Sequence, residues 1–175
     1  KNTIEYFISN KEQIINLLIN EYGSTVIKSE IEFGSTIAIL NEALKMVDEI
    51  GKTGEKPSFL PGKINESYRL PIGVISSIAP FNFPLYLSMR TIVPALALGN
   101  AVVHKADLQV GLVSGSLIAK AFEEAGLPAG VFQSILTKSS VIGDLMIEHP
   151  EAGFISFTGS TEVGRHIGAV AGAHL

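Results

Sequence analysis

Asn82 stands in APFNFP (residues 79–84), between two aromatic side chains and two prolines, in the most apolar part of the chain. A carboxamide there has two uses. It can satisfy backbone groups that the prolines leave open, or its NH2 can donate to an oxyanion formed by attack on a carbonyl. A second group is HKAD (104–107), where Lys105 follows an apolar run. Its ammonium either snorkels to water or sits beside ribose hydroxyls or a phosphate. The third is FTGST (157–161), in which Gly159 permits a tight turn and Ser160 or Thr161 can cap a helix. That cap is either an ordinary helix start or one end of an anion site, because free N–H groups at a helix N-terminus favour phosphate. No G-x-G-x-x-G fingerprint accompanies it.

From residue 71, short apolar runs alternate with helical patterns. IGVISSIA (72–79), NAVVHKA (100–106), GVFQSIL (130–136) and FISFTG (154–159) predict strands. Residues 85–99, 110–126, 140–150 and 160–172 predict helices, with Gly126, Pro128 and Pro150 as stops. Near-continuous apolar strands alternating with helices predict an α/β fold built on a doubly wound parallel sheet. Ligands of such sheets bind beyond the C-terminal ends of the strands. Asn82, Lys105 and the FTGS turn all follow strands, so the topology predicts them on one edge.

The first fifty residues are helical in pattern. Ile4, Phe7, Ile8, Ile14, Ile15, Leu18 and Ile19 recur at helical spacing over 2–22, with a break at Ser9 and Asn10 and a stop at Gly23. Ile31, Phe33, Ile37, Leu40, Leu44 and Val47 predict a second amphipathic helix over 29–50. Residues 52–70 mix turn residues with short extended pieces and predict a β-hairpin, either a surface loop or an arm that meets another subunit. The chain thus divides into N-terminal helices (1–51), an arm (52–70) and an α/β unit (71–175).

Composition narrows the function. Hydrophobic residues are 46% and charged residues 17% of 175, which suits a globular domain with a real core. A formal charge of −4 without any basic run disfavours nucleic acid and anionic membrane as partners. With no Cys, disulfides and thiolate metal sites are excluded from this chain. His104, His149, His166 and His174 lack ligand spacing, so no metal site is expected. Pro80, Pro84, Arg90 and Pro94 interrupt the apolar stretch 72–103, so no membrane span is expected. The start KNTIEYF has neither signal-peptide order nor an initiating Met, so the chain is expected to begin inside a longer, cytoplasmic protein.

Taken together, PFNFP, PALALGNAVVHK, EEAGLPAGV and ISFTGSTEVGR, in this order over about residues 60–172, resemble the N-terminal part of the NAD(P)-dependent aldehyde dehydrogenase superfamily. The stretch from LPGKINESYRL through PALALGNAVV is most similar to members acting on aromatic aldehydes such as benzaldehyde and vanillin. The resemblance implies a Rossmann-like cofactor domain, NAD or NADP as cofactor, an aldehyde as substrate and a homodimer or homotetramer. It implies that Asn82 is the catalytic asparagine, whose amide holds the oxyanion formed when a cysteine thiolate attacks the aldehyde. Phe81 takes a position usually held by Trp, and Ile78, Ala79 and Pro80 would line the cofactor pocket. Lys105 matches the lysine at the adenosine ribose. Thr158, Gly159 and Ser160 match the loop near nicotinamide and pyrophosphate, and Val163 the residue packing by the adenine.

The chain departs from the family pattern in three places. Leu108 stands where NAD-preferring relatives often carry a ribose-binding Glu, which leaves NADP open. TKSS (137–140) replaces a glycine-containing loop, so Lys138, Ser139 or Ser140 either contacts a 2′-phosphate or is simply solvated. The nucleophilic Cys and the general-base Glu of the family are absent from the matched motifs, and a chain without Cys cannot form the covalent intermediates by itself. The resemblance therefore implies a segment of a larger enzyme, inactive alone. Two alternatives are a related acyl-phosphate reductase, against which PFNFP argues, and a non-catalytic nucleotide-binding or structural relative, which the missing Cys suits.

Overall fold

Three helices open the chain in the computed structural model, which describes residues 1–48, 50 and 54–174. The close of the second predicted helix at 49 and 51, the start of the predicted arm at 52–53, and residue 175 lie outside the described residues. α1 (Asn2–Ser9) and α2 (Lys11–Tyr22) are separated at Asn10, and Gly23 in the left-handed conformation (φ 71°) ends α2. α3 (Val26–Val47) starts three residues earlier than predicted because the Thr25 hydroxyl accepts from Lys28 N at 3.2 Å. Its inner face also differs from the apolar pattern. Ile31 and Val47 are exposed, whereas Ser29, Glu32, Phe33, Thr36, Leu40 and Ala43 are buried. The polar members are satisfied: Ser29 and Thr36 hydroxyls donate to the carbonyls of Thr25 and Glu32.

β1 (Gly54–Pro57) and β2 (Ile64–Ser67) pair antiparallel, from Gly54↔Ser67 to Pro57↔Ile64, as a hairpin exposed along β2 and its loop. The remaining elements alternate: β3 (Val74–Ile78), α4 (Pro84–Ala97), β4 (Ala101–Lys105), α5 (Leu117–Glu124), β5 (Phe132–Ile135), α6 (Ser139–Ile142), α7 (Leu145–Glu148), β6 (Ala152–Phe157) and α8 (Thr161–Gly172). The four strands form one parallel sheet in the order β5-β4-β3-β6. Chain direction across the sheet therefore reverses between β3 and β6, the switch point at which such folds hold ligands.

Alternation along the strands assigns the faces. Ile75, Val102 and Phe132 pack with α4, α5 and the N-terminal helices into one core that includes Phe7, Leu18, Leu85, Met89 and Ile118. Ser76, on the opposite face, donates to the Met146 carbonyl of α7 at 2.7 Å. The sheet is thus covered on both sides, as predicted.

Two predicted helices are not continuous. The segment 110–126 begins as a 3₁₀ turn (Leu108–Val110) and a π-helical turn (Leu112–Ser116) before α5. Ser114 donates back to the Val110 carbonyl at 2.8 Å, a contact that bends helices. A Cβ at Gly115 would lie 2.8 Å from Ser134 Oγ, so this turn sits directly on β4 and β5. The segment 140–150 splits into α6 and α7 at Gly143, whose φ of 53° and ψ of −136° favour glycine.

Candidate functional site

A cavity of about 390 Å³ opens at the C-terminal ends of the strands, across the switch point. Ten residues singled out from the sequence line it: Ile78, Ala79, Pro80 and Phe81 after β3, Lys105 at the end of β4, Ser139 in α6, and Thr158, Gly159, Ser160 and Val163 after β6. Asn82, Leu108, Lys138 and Ser140 do not. Asn82 follows Phe81 at the rim and is exposed, and Leu108 is exposed on the 3₁₀ turn beyond Asp107.

The turn after β6 is built for close packing. Thr158 N donates to the Ile78 carbonyl at 3.0 Å, which zips β6 to the end of β3. Gly159 and Gly164 lie against the Phe157 ring, and a Cβ at Gly159 would collide with that ring. Ser160 caps α8 by accepting from Val163 N at 3.3 Å. One donor is thus satisfied, while the rest of the first turn retains free N–H groups beside the cavity.

The APFNFP loop is braced from the N-terminal helices. Phe83 caps α4 with no side-chain bond of its own, and Pro84 starts the helix. The orphan donors Leu85 N and Tyr86 N are taken by Glu32 Oε1 at 2.8 and 3.2 Å, from α3. Glu32 is fully buried, and burial raises its carboxyl above the ordinary value despite those bonds and nearby Lys28. Lys28 Nζ lies 3.3 Å from Glu32 Oε2, 4.2 Å from the Phe83 ring centre and 4.5 Å from that of Tyr22. Tyr22 in turn meets Phe81 at 6.3 Å. Both aromatics that flank Asn82 are therefore held by side chains of α2 and α3. Asn82 Oδ1 accepts from Phe83 N at 3.1 Å, and among the described residues its NH2 has no acceptor.

Several lining residues were not anticipated. Asp107 and Gly143 lie close in sequence to anticipated ones, and Asp107 places a carboxylate near Lys105 that the Leu108 position had seemed to remove. Asp107 Oδ1 accepts from Gln109 N at 2.9 Å. Asp144 and His166 also line the cavity, with His166 Nε2 at 2.9 Å from both Asp144 oxygens. The i+3 step from Val163 to His166 on α8 was the available signal.

His104 lies outside the cavity. It is fully buried in β4, with Nδ1 3.0 Å from Ser77 Oγ and its ring stacked on Phe132 at 6.4 Å. Burial lowers its pKa to about 4; backbone groups of Ser114 and Ser77 offset this only in part, and among the described residues Nε2 has no hydrogen-bond partner. Among the described residues no cluster of His, Asp and Glu is arranged for a metal, and no helix is long and apolar enough to cross a membrane.

A parallel sheet with a cavity at its switch point, lined by one helix N-terminus and a lysine, is the arrangement in which open α/β sheets hold ligands. The chain belongs to the aldehyde dehydrogenase family, whose pattern it matches over residues 1–175. AldY of Bacillus subtilis strain 168 is 57% identical over 95% of the chain and 34% of its own length. The benzaldehyde dehydrogenase YfmT of the same organism is 43% identical over 100% of the chain and 36% of its own length. A crystal structure of an NAD-dependent benzaldehyde dehydrogenase from Corynebacterium glutamicum superposes with a TM-score of 0.91 at 41% identity, covering 97% of this chain and 36% of that one. The chain spans about a third of the length of these relatives.

Proposed function

We propose that this chain is the cofactor-binding part of an enzyme that oxidises an aldehyde, of the aromatic class, to a carboxylic acid with NAD or NADP. The observation that carries the reading is the cavity itself: residues that the family resemblance named from three separate chain segments converge on it. Its chemistry fits a dinucleotide. Gly159 lets the turn pack against the Phe157 ring in the cavity wall, the first turn of α8 offers N–H groups to a diphosphate, and Lys105 adds a cation to a lining that also holds Asp107 and Ser139. The aromatic class rests on YfmT and the Corynebacterium enzyme.

When bound, the nicotinamide supplies the hydride acceptor. The chain's own residues do the rest of its share. Phe81 and Pro80 shield the cavity's rim, and the Glu32–Lys28 brace fixes the loop on which Asn82 stands. Asn82, its carbonyl oxygen tied to Phe83 N, presents NH2 to the oxygen that gains charge as a thiolate adds to the aldehyde carbon. That thiol and the base that activates water come from sequence outside these 175 residues, which contain no Cys. The segment alone is therefore inactive in this reading. The exposed hairpin, with Phe59, Leu60, Ile64 and Tyr68 open to solvent, serves as an arm between copies of the intact protein.

Asn82→Ala tests the reading in the intact protein. With benzaldehyde as probe and reduced nicotinamide as readout, kcat is expected to fall about 10²–10³-fold. The dinucleotide Kd is expected to stay unchanged. Wild-type turnover in the variant would remove Asn82 from the mechanism.

A further inference from the structure

We propose that Asp144, held by His166, reads the base of the bound dinucleotide through its exocyclic amine, so that the cavity selects a 6-aminopurine over a 6-oxopurine. The proposal rests on the cavity being the dinucleotide site.

The face that α8 turns to the cavity carries, in order, Ser160 at the helix start, then Val163, then His166 and Ile167. At about 1.5 Å per residue, Val163 lies roughly 3 Å and His166 roughly 7–8 Å along the helix from Thr161. A phosphate at the helix start therefore directs the attached nucleoside along this face. The facing wall supplies Ile142 and Ile147. These aliphatic side chains make a slot for a flat heteroaromatic ring, and the polar pair beyond Val163 is Asp144 and His166.

The Asp144 carboxylate is oriented with unusual economy. It occupies the N-cap position of α7, where an aspartate ordinarily accepts from the helix backbone, yet its side chain makes no capping bond. Both oxygens instead share the His166 Nε2 proton at 2.9 Å. This fixes the imidazole with its proton on Nε2 and holds the carboxylate in one plane. A carboxylate accepts about four hydrogen bonds, so lone pairs remain beyond those His166 occupies. An acceptor-only group in a purine slot complements an amine and opposes a carbonyl oxygen. Adenine presents an N6 amine; hypoxanthine presents O6 at the same place.

The test compares equilibrium binding of NAD+ with that of its deaminated analogue, in which hypoxanthine replaces adenine. Calorimetry on the intact protein reads both, with the NADP+ pair run alongside. One charge-assisted hydrogen bond gained and one repulsion avoided predict roughly tenfold or greater preference for the adenine forms. In Asp144→Asn, whose amide can meet either purine edge, the ratio is expected to fall within about twofold. In His166→Gln it is expected to stay well above one, because the carboxylate remains. Equal affinity of wild type for both bases overturns the proposal even if no variant folds, as does an unchanged ratio in Asp144→Asn. The pair would then be only a clasp between α7 and α8. Failure of both NAD+ and NADP+ to bind would overturn the cavity assignment itself, and the proposal with it.

Discussion

Gly159 and Gly168 lie nine positions apart, one just before α8 and one within it, and they separate a constrained glycine from a free one. A Cβ at Gly159 meets the Phe157 ring, while one at Gly168 meets nothing within 4 Å. Gly159→Ala must push an aromatic ring that helps close the cavity, and overpacking of this kind costs about 1–3 kcal/mol. Gly168→Ala removes backbone freedom from the unfolded chain and is expected to stabilise by about 0.5–1 kcal/mol. Thermal unfolding of the two variants, with dinucleotide titration, checks both: Tm should move in opposite directions, and only Gly159→Ala should weaken binding. At this scale the sequence was informative wherever a side chain's chemistry matched a strand end. It was silent on the pairing of Asp144 with His166, which are 22 residues apart and meet only through packing. It also could not show that Asp107 lines the cavity while Leu108 does not.

The most consequential packing between elements joins α3 to α4. An apolar-periodicity reading of α3 chose Ile31 and Val47 for the core, and both are exposed. Its buried stripe carries Ser29, Glu32 and Thr36 because this face must supply an acceptor to the start of α4. Periodicity registers apolar residues and overlooks a buried carboxylate serving as another helix's cap, so this was not legible beforehand. The strands were, since four apolar runs separated by turn residues leave few alternatives to a parallel sheet. The breaks at Gly143 and in the π-helical turn were not: the first is a backbone conformation that favours glycine, and the second goes with close contact of Gly111 and Gly115 with Leu136 and Ser134. Glu32→Ala strands two helix donors and leaves Lys28 without its carboxylate, for an expected loss of about 3 kcal/mol. Glu32→Gln keeps an acceptor oxygen and is expected to cost about 1 kcal/mol. Chemical denaturation of the two variants checks the order; equal losses would show that the backbone bonds carry nothing.

For the molecule as a whole, the sheet–helix interface contains an imidazole that resists protonation. His104 has its pKa lowered to about 4 against an ordinary 6.5. The folded state thus binds this proton less readily than the unfolded state, and stability present above pH 6.5 is lost as pH falls toward 4. The full shift corresponds to about 3 kcal/mol. Glu32 works in the opposite sense: its raised pKa favours the folded state at low pH and disfavours it as pH rises through the folded value. Unfolding midpoints of wild type and His104→Asn between pH 7 and 4 separate the two. The wild type is expected to lose stability more steeply, and parallel curves would show that the imidazole is not the sensitive group. The strand order has a further consequence, in the time course of synthesis. β3, β4 and β5 neighbour one another in the order they leave the ribosome, so that three of the four strands can pair as they emerge. β6 must cross back to the opposite edge and pair with β3, and Thr158, Gly159 and Ser160 follow it. The cavity is thus the last part of this segment to exist, and a nascent chain halted before residue 152 has most of its sheet but no place to hold a ligand.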